Sequence, residues 1–476
     1  MSDEIVPEVV LPREVEVVNV GLPLFADAVR GQGVAVQQVG WRIPAAGVPE
    51  LVGALERLYG ARSRAIDAAN AEVVRRLDQG VPLLVDVAPA GSLVPGMSDR
   101  LLLHCGPAVG WDEACDPLRR SLRAAAVAEG WAQDAAAADR LLRDGDVRLE
   151  PAYEHDTVVP MATAIGRSAP VLAVDNAAGG TRAFAPINQG PGDTAWFGRD
   201  TPAAIDRLRF LRDVAGPMLR LVLTGSGPVD LFALAAQGVQ MGDDVHMRTQ
   251  GTTSLLVRNL LPQLAVLPDR GRLELSRFLS GNHLFFLNLA MAAAKSVALW
   301  AEQVEGSSVV TMMCRNGTTY GIRLAGAPTL FVAAAPPVAD AMYYPGYGPE
   351  TSAPDIGDSA ILELVGLGGA AAAGSPAVAG FLGGTMDDAV AVTEEMASIC
   401  VGSSSRFTLP TWNHAGTPLG VDARRVVDLD TTPKVSTGIL HASTGVGQIG
   451  AGVATAPVEC FREAVRAMAG DRGVGE

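Results

Sequence analysis

From Leu364 to Met386 the chain carries no charged side chain. A segment of that length is either hidden from water or set in a bilayer. Its composition decides between the two. Glycines recur through it, Ser375 and Pro376 interrupt it, and few large apolar side chains are present, so transfer into lipid is weakly driven. The expectation is two buried helices meeting at Gly374-Ser375-Pro376. Hydrophobic residues make up 48% of the sequence but aromatics only 5%, which fits a core packed through small side chains. At 476 residues the chain exceeds one ordinary core, and two or three domains are expected.

Charge narrows the partners. The net charge is −15, from 37 basic and 52 acidic side chains. A nucleic-acid binder needs a basic stripe to neutralise phosphates, and none is evident. The same deficit argues against a polybasic membrane surface. A cytoplasmic protein with small-molecule or protein partners is expected. Cys105, Cys115, Cys314, Cys400 and Cys460 are odd in number, widely spaced and without a C-x-x-C pair. Neither a disulfide framework nor a zinc knuckle is expected. Met1 to Glu16 is acidic and lacks the apolar region of a signal peptide.

Glu14 to Trp41 reads as strand, helix, strand, with runs at Val17–Val20, Leu24–Val29 and Val34–Val39, a parallel β-α-β unit. Helical patterns at Val48–Tyr59 and Arg62–Leu77, then strands at Pro82–Val87 and Leu101–His104, extend it to a Rossmann-like α/β domain over residues 1–110. Ligands in such sheets sit at the carboxyl ends of strands. Residues 201–305 are mostly helical in pattern and predict a helical domain, one helix running from Asp244 to Leu260. Residues 111–200 and 306–476 together predict an α+β domain. Its helices are expected at Asp355–Ala373 and Met386–Cys400. Its end is expected to be strand-rich (Val421–Leu429, Val435–Ser443) before a last helix from about Pro457. The fold class is α/β and α+β, multidomain.

Several constellations can carry chemistry. His155 lies between Glu154 and Asp156, as a general base or metal ligand would, or as part of a solvated loop. Asp243, Asp244 and His246 are placed at a helix start. Asp243 and His246 share a face as an Asp-x-x-His ligand pair, while acids there also cap free amides. Capping leaves His246 and Arg248 unaccounted for. Arg315 can fork onto a carboxylate or phosphate, beside Asn316-Gly317, which reads as hairpin-turn chemistry. Ser352 and Asp355 fit a capping box. Asp358 lies deeper in the same pattern, and a buried acid is costly unless paired, so it is the better functional residue.

Near the end, "HASTGVGQIGAG" contains G-x-G-x-x-G at Gly445, Gly447 and Gly450. A dinucleotide fingerprint needs a second strand ending in an acid about 20 residues on. Pro457 and Glu476 leave no room for one, and no cofactor is expected. Two readings stay open: backbone N–H groups facing an anion, or a turn that lets two elements pack closely.

In order along the chain, the sequence has Val18-Asn19-Val20-Gly21…Phe25, Val94-Pro95-Gly96-Met97, His104…Gly106-Pro107 and His155-Asp156. Then come Met241-Gly242-Asp243…His246, Arg315-Asn316-Gly317 and Asp355 to Ala360. Asp422…Arg424…Val426, His441…Gly445 to Gly452 and Cys460-Phe461 follow. This ordered set, spanning about residues 15 to 465, resembles the AllG-like (YlbE-like) family. The resemblance implies a subunit of oxamate carbamoyltransferase, which phosphorolyses an N-carbamoyl substrate such as oxalurate to oxamate and carbamoyl phosphate. It further implies a homo-oligomer and a hetero-complex with an acyl-CoA-synthetase-like subunit.

For that chemistry, phosphate must be held, an oxyanion stabilised and a proton moved to the leaving nitrogen. Arg248, Arg315 and Arg424 are candidate anion holders, with Asn316, Asp358, Gly445, Gly447 and Gly450 as further binding residues. His155, Asp156, His246 and His441 are candidates for the proton. Two alternatives remain: a non-catalytic scaffold subunit, and a metal-dependent amidohydrolase built on Asp243, His246 and His155. The family pattern has Lys-Asp after the terminal histidine, where Ala442 and Ser443 stand here. It has Asn-Arg-Asn after His246, where Met247-Arg248-Thr249 stand. Loss of that lysine removes a point charge that phosphate would favour. The substrate then differs from oxalurate, or phosphate is held elsewhere.

Overall fold

The apolar run Pro82–Pro89 is a strand, but its neighbours come from far along the chain. In the computed structural model, which describes residues 15–39, 42–382 and 384–470, it pairs antiparallel with Pro170–Asn176 and Val229–Asp230, and Thr181–Pro186 completes that sheet. Leu101–His104 belongs to a different sheet, parallel to Arg148–Pro151 and antiparallel to Ala164–Ile165. The expected Rossmann-like domain over residues 1–110 is therefore not formed as one sheet. What remains of it is a parallel β-α-β unit made of Val17–Val20, the helix Pro23–Arg30 and Val36–Val39. Val18, Val20, Leu22, Leu24 and Phe25 in this unit are all more than half exposed. Residues 1–14, Gly40 and Trp41 lie outside the described residues, and with them the reading of the N-terminal segment.

Beyond this unit one apolar core extends from Ala45 to Val465. The helix Phe285–Ala301 runs through it, buried almost throughout, and packs on the strands Pro170–Asn176 and Thr181–Pro186. The expected helical stretch is present as Pro202–Phe210, Gly216–Ser226, Leu231–Gln240, Gln250–Ala265, Asp269–Gly281 and Phe285–Ala301. The helix expected from Asp244 starts only at Gln250. Asp243 caps it, accepting from Gly251 N, Thr252 N and Thr252 Oγ1. Asp244 to Thr249 is left as a loop before it.

Besides the antiparallel pair Cys400–Leu409 and Ala415–Val421, the second half supplies two larger antiparallel sheets. One joins Phe331–Ala334, Thr319–Leu324, Val310–Asn316 and Ile356–Gly357. The other joins Asp340–Tyr343, Gln448–Thr455 and Lys434–Leu440. Two expectations fail here. Val421–Leu429 is not a strand: Asp422 accepts from Arg424 N and starts the helix Ala423–Leu429, as an N-cap aspartate does. The helix expected over Asp355–Ala373 is replaced by the single turn Ile361–Leu364 and a 3-10 helix, Gly368–Gly374. Gly366 and Gly368 lie at φ +87° and +59°, which an α-helix cannot continue through. The uncharged stretch is buried through Ser375 as expected, and the helix Pro376–Phe381 follows the break. Among the described residues no single helix is long and apolar enough to cross a membrane. All five cysteines are unpaired.

Candidate functional site

The loop after Asp243 turns back on itself. Asp244 Oδ1 accepts from the N–H groups of His246 (3.1 Å) and Arg248 (2.8 Å). Between them Val245 is held at φ +59°, a conformation that costs a β-branched residue energy and persists only where its surroundings enforce it. The turn carries His246 into the protein, where Nδ1 lies 2.8 Å from Glu363 Oε1 and both side chains are buried. Glu363 Oε1 also accepts from Gly369 N and Ser436 N, so the carboxylate cannot swing away. A Cβ at Gly368 would stand 2.1 Å from Glu363 Oε1 and 3.0 Å from His246 Nδ1. Glycine is the residue that admits this pair. A neutral imidazole that donates Nδ1–H to Glu363 presents Nε2 as an acceptor.

His246 lines a narrow pocket with Met161, Trp196, Ser359, Gly438 and Gln448, of about 30 Å³. It shares the lining residues Phe197, Met247, Leu284 and Gln448 with a neighbouring cleft of about 540 Å³, lined also by Asp193, Arg199, His283, Tyr344 and Gly447. That volume is in the range of small-molecule sites. The walls come from the helical region, from the segment around Trp196, and from the sheet of Gln448–Thr455. A histidine oriented by a carboxylate beside such a cleft is equipped to take up and return a proton.

The remaining sequence candidates fall elsewhere or behind the wall. Arg315 is fully buried and forks onto Asp355, at 2.7 Å and 3.0 Å. It thus holds the protein's own carboxylate, and reaches the pocket only through Ser359 Oγ at 3.4 Å. Arg424 is engaged by Asp422 and Asp67 and lies over the Tyr59 ring. Arg248 donates to the carbonyls of Met241 and Gly242. Arg315 and Arg424 are therefore occupied by the protein's own carboxylates, while Arg248 is bonded through Nη1 and stays a third exposed. Asn316 donates to Pro107 O and Thr319 Oγ1, the turn role its sequence suggested. Asp358 accepts from Gly106 N (2.8 Å) and Val159 N (3.1 Å). Burial pushes its carboxyl up to about 7, against those two N–H groups and Arg315.

His155 donates from Nδ1 to Pro95 O at 2.7 Å and has Nε2 2.8 Å from Glu150 Oε2; it does not line the cleft. Asp156 follows in a left-handed turn at φ +51°. Its carboxyl is raised by burial, with Lys295 opposing. His441 supports its own loop: its backbone N–H donates to Gly447 O, and Nδ1 accepts from Ser443 N. The glycines of that loop serve close approach. A Cβ at Gly445 would meet the Arg120 guanidinium at 2.8 Å, one at Gly447 would meet Arg199 Cδ at 3.3 Å, and one at Gly450 would meet Met342 O at 2.6 Å. Of the candidates, His246 lines the narrow pocket and Gly447 the neighbouring cleft.

Four residues here were not singled out in the sequence: Glu363, Ser359, Arg199 and Lys295. Glu363 is the lone acid in an apolar run, and Lys295 the lone charge in the apolar helix Phe285–Ala301. Both are signals of a polar group with a buried purpose. Burial holds the Lys295 amine below the usual lysine range, with Glu302 and Asp156 opposing. Among the described residues no three His, Cys, Asp or Glu side chains are grouped as metal ligands; Asp243 is a cap and His155 is elsewhere.

A family described as oxamate carbamoyltransferase subunit AllG matches residues 147–359, which include His246. A solved structure from Enterococcus faecalis V583, a conserved protein of unknown function, superposes with a TM-score of 0.83 at 34% identity, over 86% of this chain and 98% of its own. The uncharacterized protein YahG of Escherichia coli (strain K12) is 35% identical over 94% of this chain and 96% of its own length. The oxamate carbamoyltransferase subunit AllG of the same organism is 39% identical over 412 residues, 86% of this chain and 98% of that protein. This chain belongs to the AllG family.

Proposed function

We propose that this chain is a subunit of a carbamoyltransferase resembling oxamate carbamoyltransferase, and that the cleft beside His246 is where an N-carbamoyl substrate such as oxalurate is phosphorolysed. The observation that carries this reading is the buried His246–Glu363 pair, with His246 lining the pocket beside the cleft. The name of the relative supports the substrate class and the presence of other subunits.

In the forward step a phosphate oxygen attacks the carbamoyl carbon, and the carbon–nitrogen bond to the leaving amide breaks. Hydrogen phosphate loses its proton and the leaving nitrogen gains one, so oxalurate yields carbamoyl phosphate and oxamate without net proton change. His246 Nε2 takes the first proton and supplies the second. Glu363 stabilises the imidazolium in between, as a carboxylate on the far nitrogen does. A homo-oligomer and an acyl-CoA-synthetase-like partner remain part of the proposal. A scaffold role gives no reason for a strained loop that aims a histidine into a pocket. The amidohydrolase reading loses its ligand set, since Asp243 is a helix cap and His155 is held by Glu150 and Pro95.

The test is phosphate-dependent release of carbamoyl phosphate from oxalurate by the full chain with its partner subunits. His246→Gln should abolish it. No phosphorolysis of any ureido acid, with partners present, would overturn the proposal.

A further inference from the structure

We infer that Arg199 selects the substrate of this cleft by holding a single planar carboxylate. The inference rests on the reaction proposed at His246 for its substrate class, but on different residues. Arg199 is the one Arg or Lys side chain lining the cleft among the described residues. It is pre-oriented at two points. Its Nε lies 2.7 Å from Asp193 Oδ1, and Nη1 donates to Val446 O at 2.9 Å. Asp193 is itself fixed by the Thr201 hydroxyl at 2.7 Å. The absence of a side chain at Gly447 lets the Arg199 stem lie against the loop.

The Asp193 contact is an ion pair without hydrogen-bond geometry, and among the described residues no hydrogen bond holds Nη2. A guanidinium edge of this kind matches a carboxylate in plane and geometry. Its charge is already balanced by Asp193. The carboxylate end of the substrate thus sits at Arg199, and its carbonyl extends toward His246.

The test is titration of the full chain with oxamate, and with oxamide as its uncharged counterpart. The wild type should bind oxamate at least about tenfold more tightly than oxamide, as a charge-assisted contact provides. Arg199→Gln should bring oxamate and oxamide to equal affinity. If that variant binds neither, Arg199→Lys decides: recovery of the oxamate preference supports the anchor, and continued absence overturns it. Equal binding of oxamate and oxamide by the wild type, or an unchanged preference in Arg199→Gln, would each overturn it as well. His246→Gln should keep the oxamate preference. Failure of phosphorolysis with that preference intact removes the proposed reaction and leaves the anchor. Phosphorolysis without the preference does the reverse.

Discussion

Two histidines in this molecule each stand 2.8 Å from a carboxylate oxygen, and they differ in what the second ring nitrogen meets. His155 has Nε2 on Glu150 and Nδ1 on Pro95 O, so both nitrogens are engaged by the protein. His246 has Nδ1 on Glu363, and lines a narrow pocket. The first arrangement ties a loop to a strand. The second leaves a nitrogen for a substrate. Charged neighbours alone do not separate them, because in the sequence both histidines lie close to acids.

The contrast can be broken by substitution. His246→Gln should lower kcat/KM for oxalurate about 10²–10⁴-fold, the range of a lost general acid–base group, with little change in melting temperature. Gly368→Ala leaves every polar group in place but drives a methyl into Glu363 Oε1. A displacement of that order should cost about a hundredfold in kcat. Activity within threefold of wild type in either variant would contradict the account.

Asp358 sharpens the same contrast among acids. Both its oxygens are engaged by backbone N–H groups, and burial raises it from 3.8 to about 7. A carboxyl raised on folding favours the folded state fully below its unfolded value. That contribution is lost as pH climbs to the folded value. The stability of wild type relative to Asp358→Asn should therefore fall between pH about 4 and about 7, by roughly 2–4 kcal/mol, and stay level above. Denaturant unfolding of both proteins across this range checks it, and a pH-independent difference would refute it. The smallest effect is expected at the other histidine. His155→Ala should cost about 1–2 kcal/mol of stability by leaving Pro95 O without a donor and Glu150 with Arg148 alone, while turnover stays within threefold.

Local patterns placed most helices and strands, and they placed His246 among the candidates. What they could not reach was non-local. Pro82–Pro89 reads as a strand, but its partners lie at Pro170–Asn176 and Val229–Asp230, so the expected Rossmann-like sheet dissolved. Asp422 in "VDARRVVDL" was a helix cap that a β-branched run disguised. Arg315 and Arg424 had the chemistry of anion holders, yet their anions are Asp355 and Asp422. Glu363 lies 117 residues from His246, and no spacing rule connects them. The loop glycines from Gly445 to Gly450 were legible as either cradle or close contact, and each is approached closely by a neighbour, Arg120, Arg199 or Met342 O.

Chemical rescue tests the central claim most directly. In His246→Ala the imidazole is gone, and the pocket beside Glu363 is left. Added imidazole should restore phosphate-dependent turnover of oxalurate in that variant, and should have no effect on His155→Ala. A His246→Ala protein that turns over as the wild type does, or one that imidazole at any concentration fails to restore, would contradict a proton-transfer role for His246.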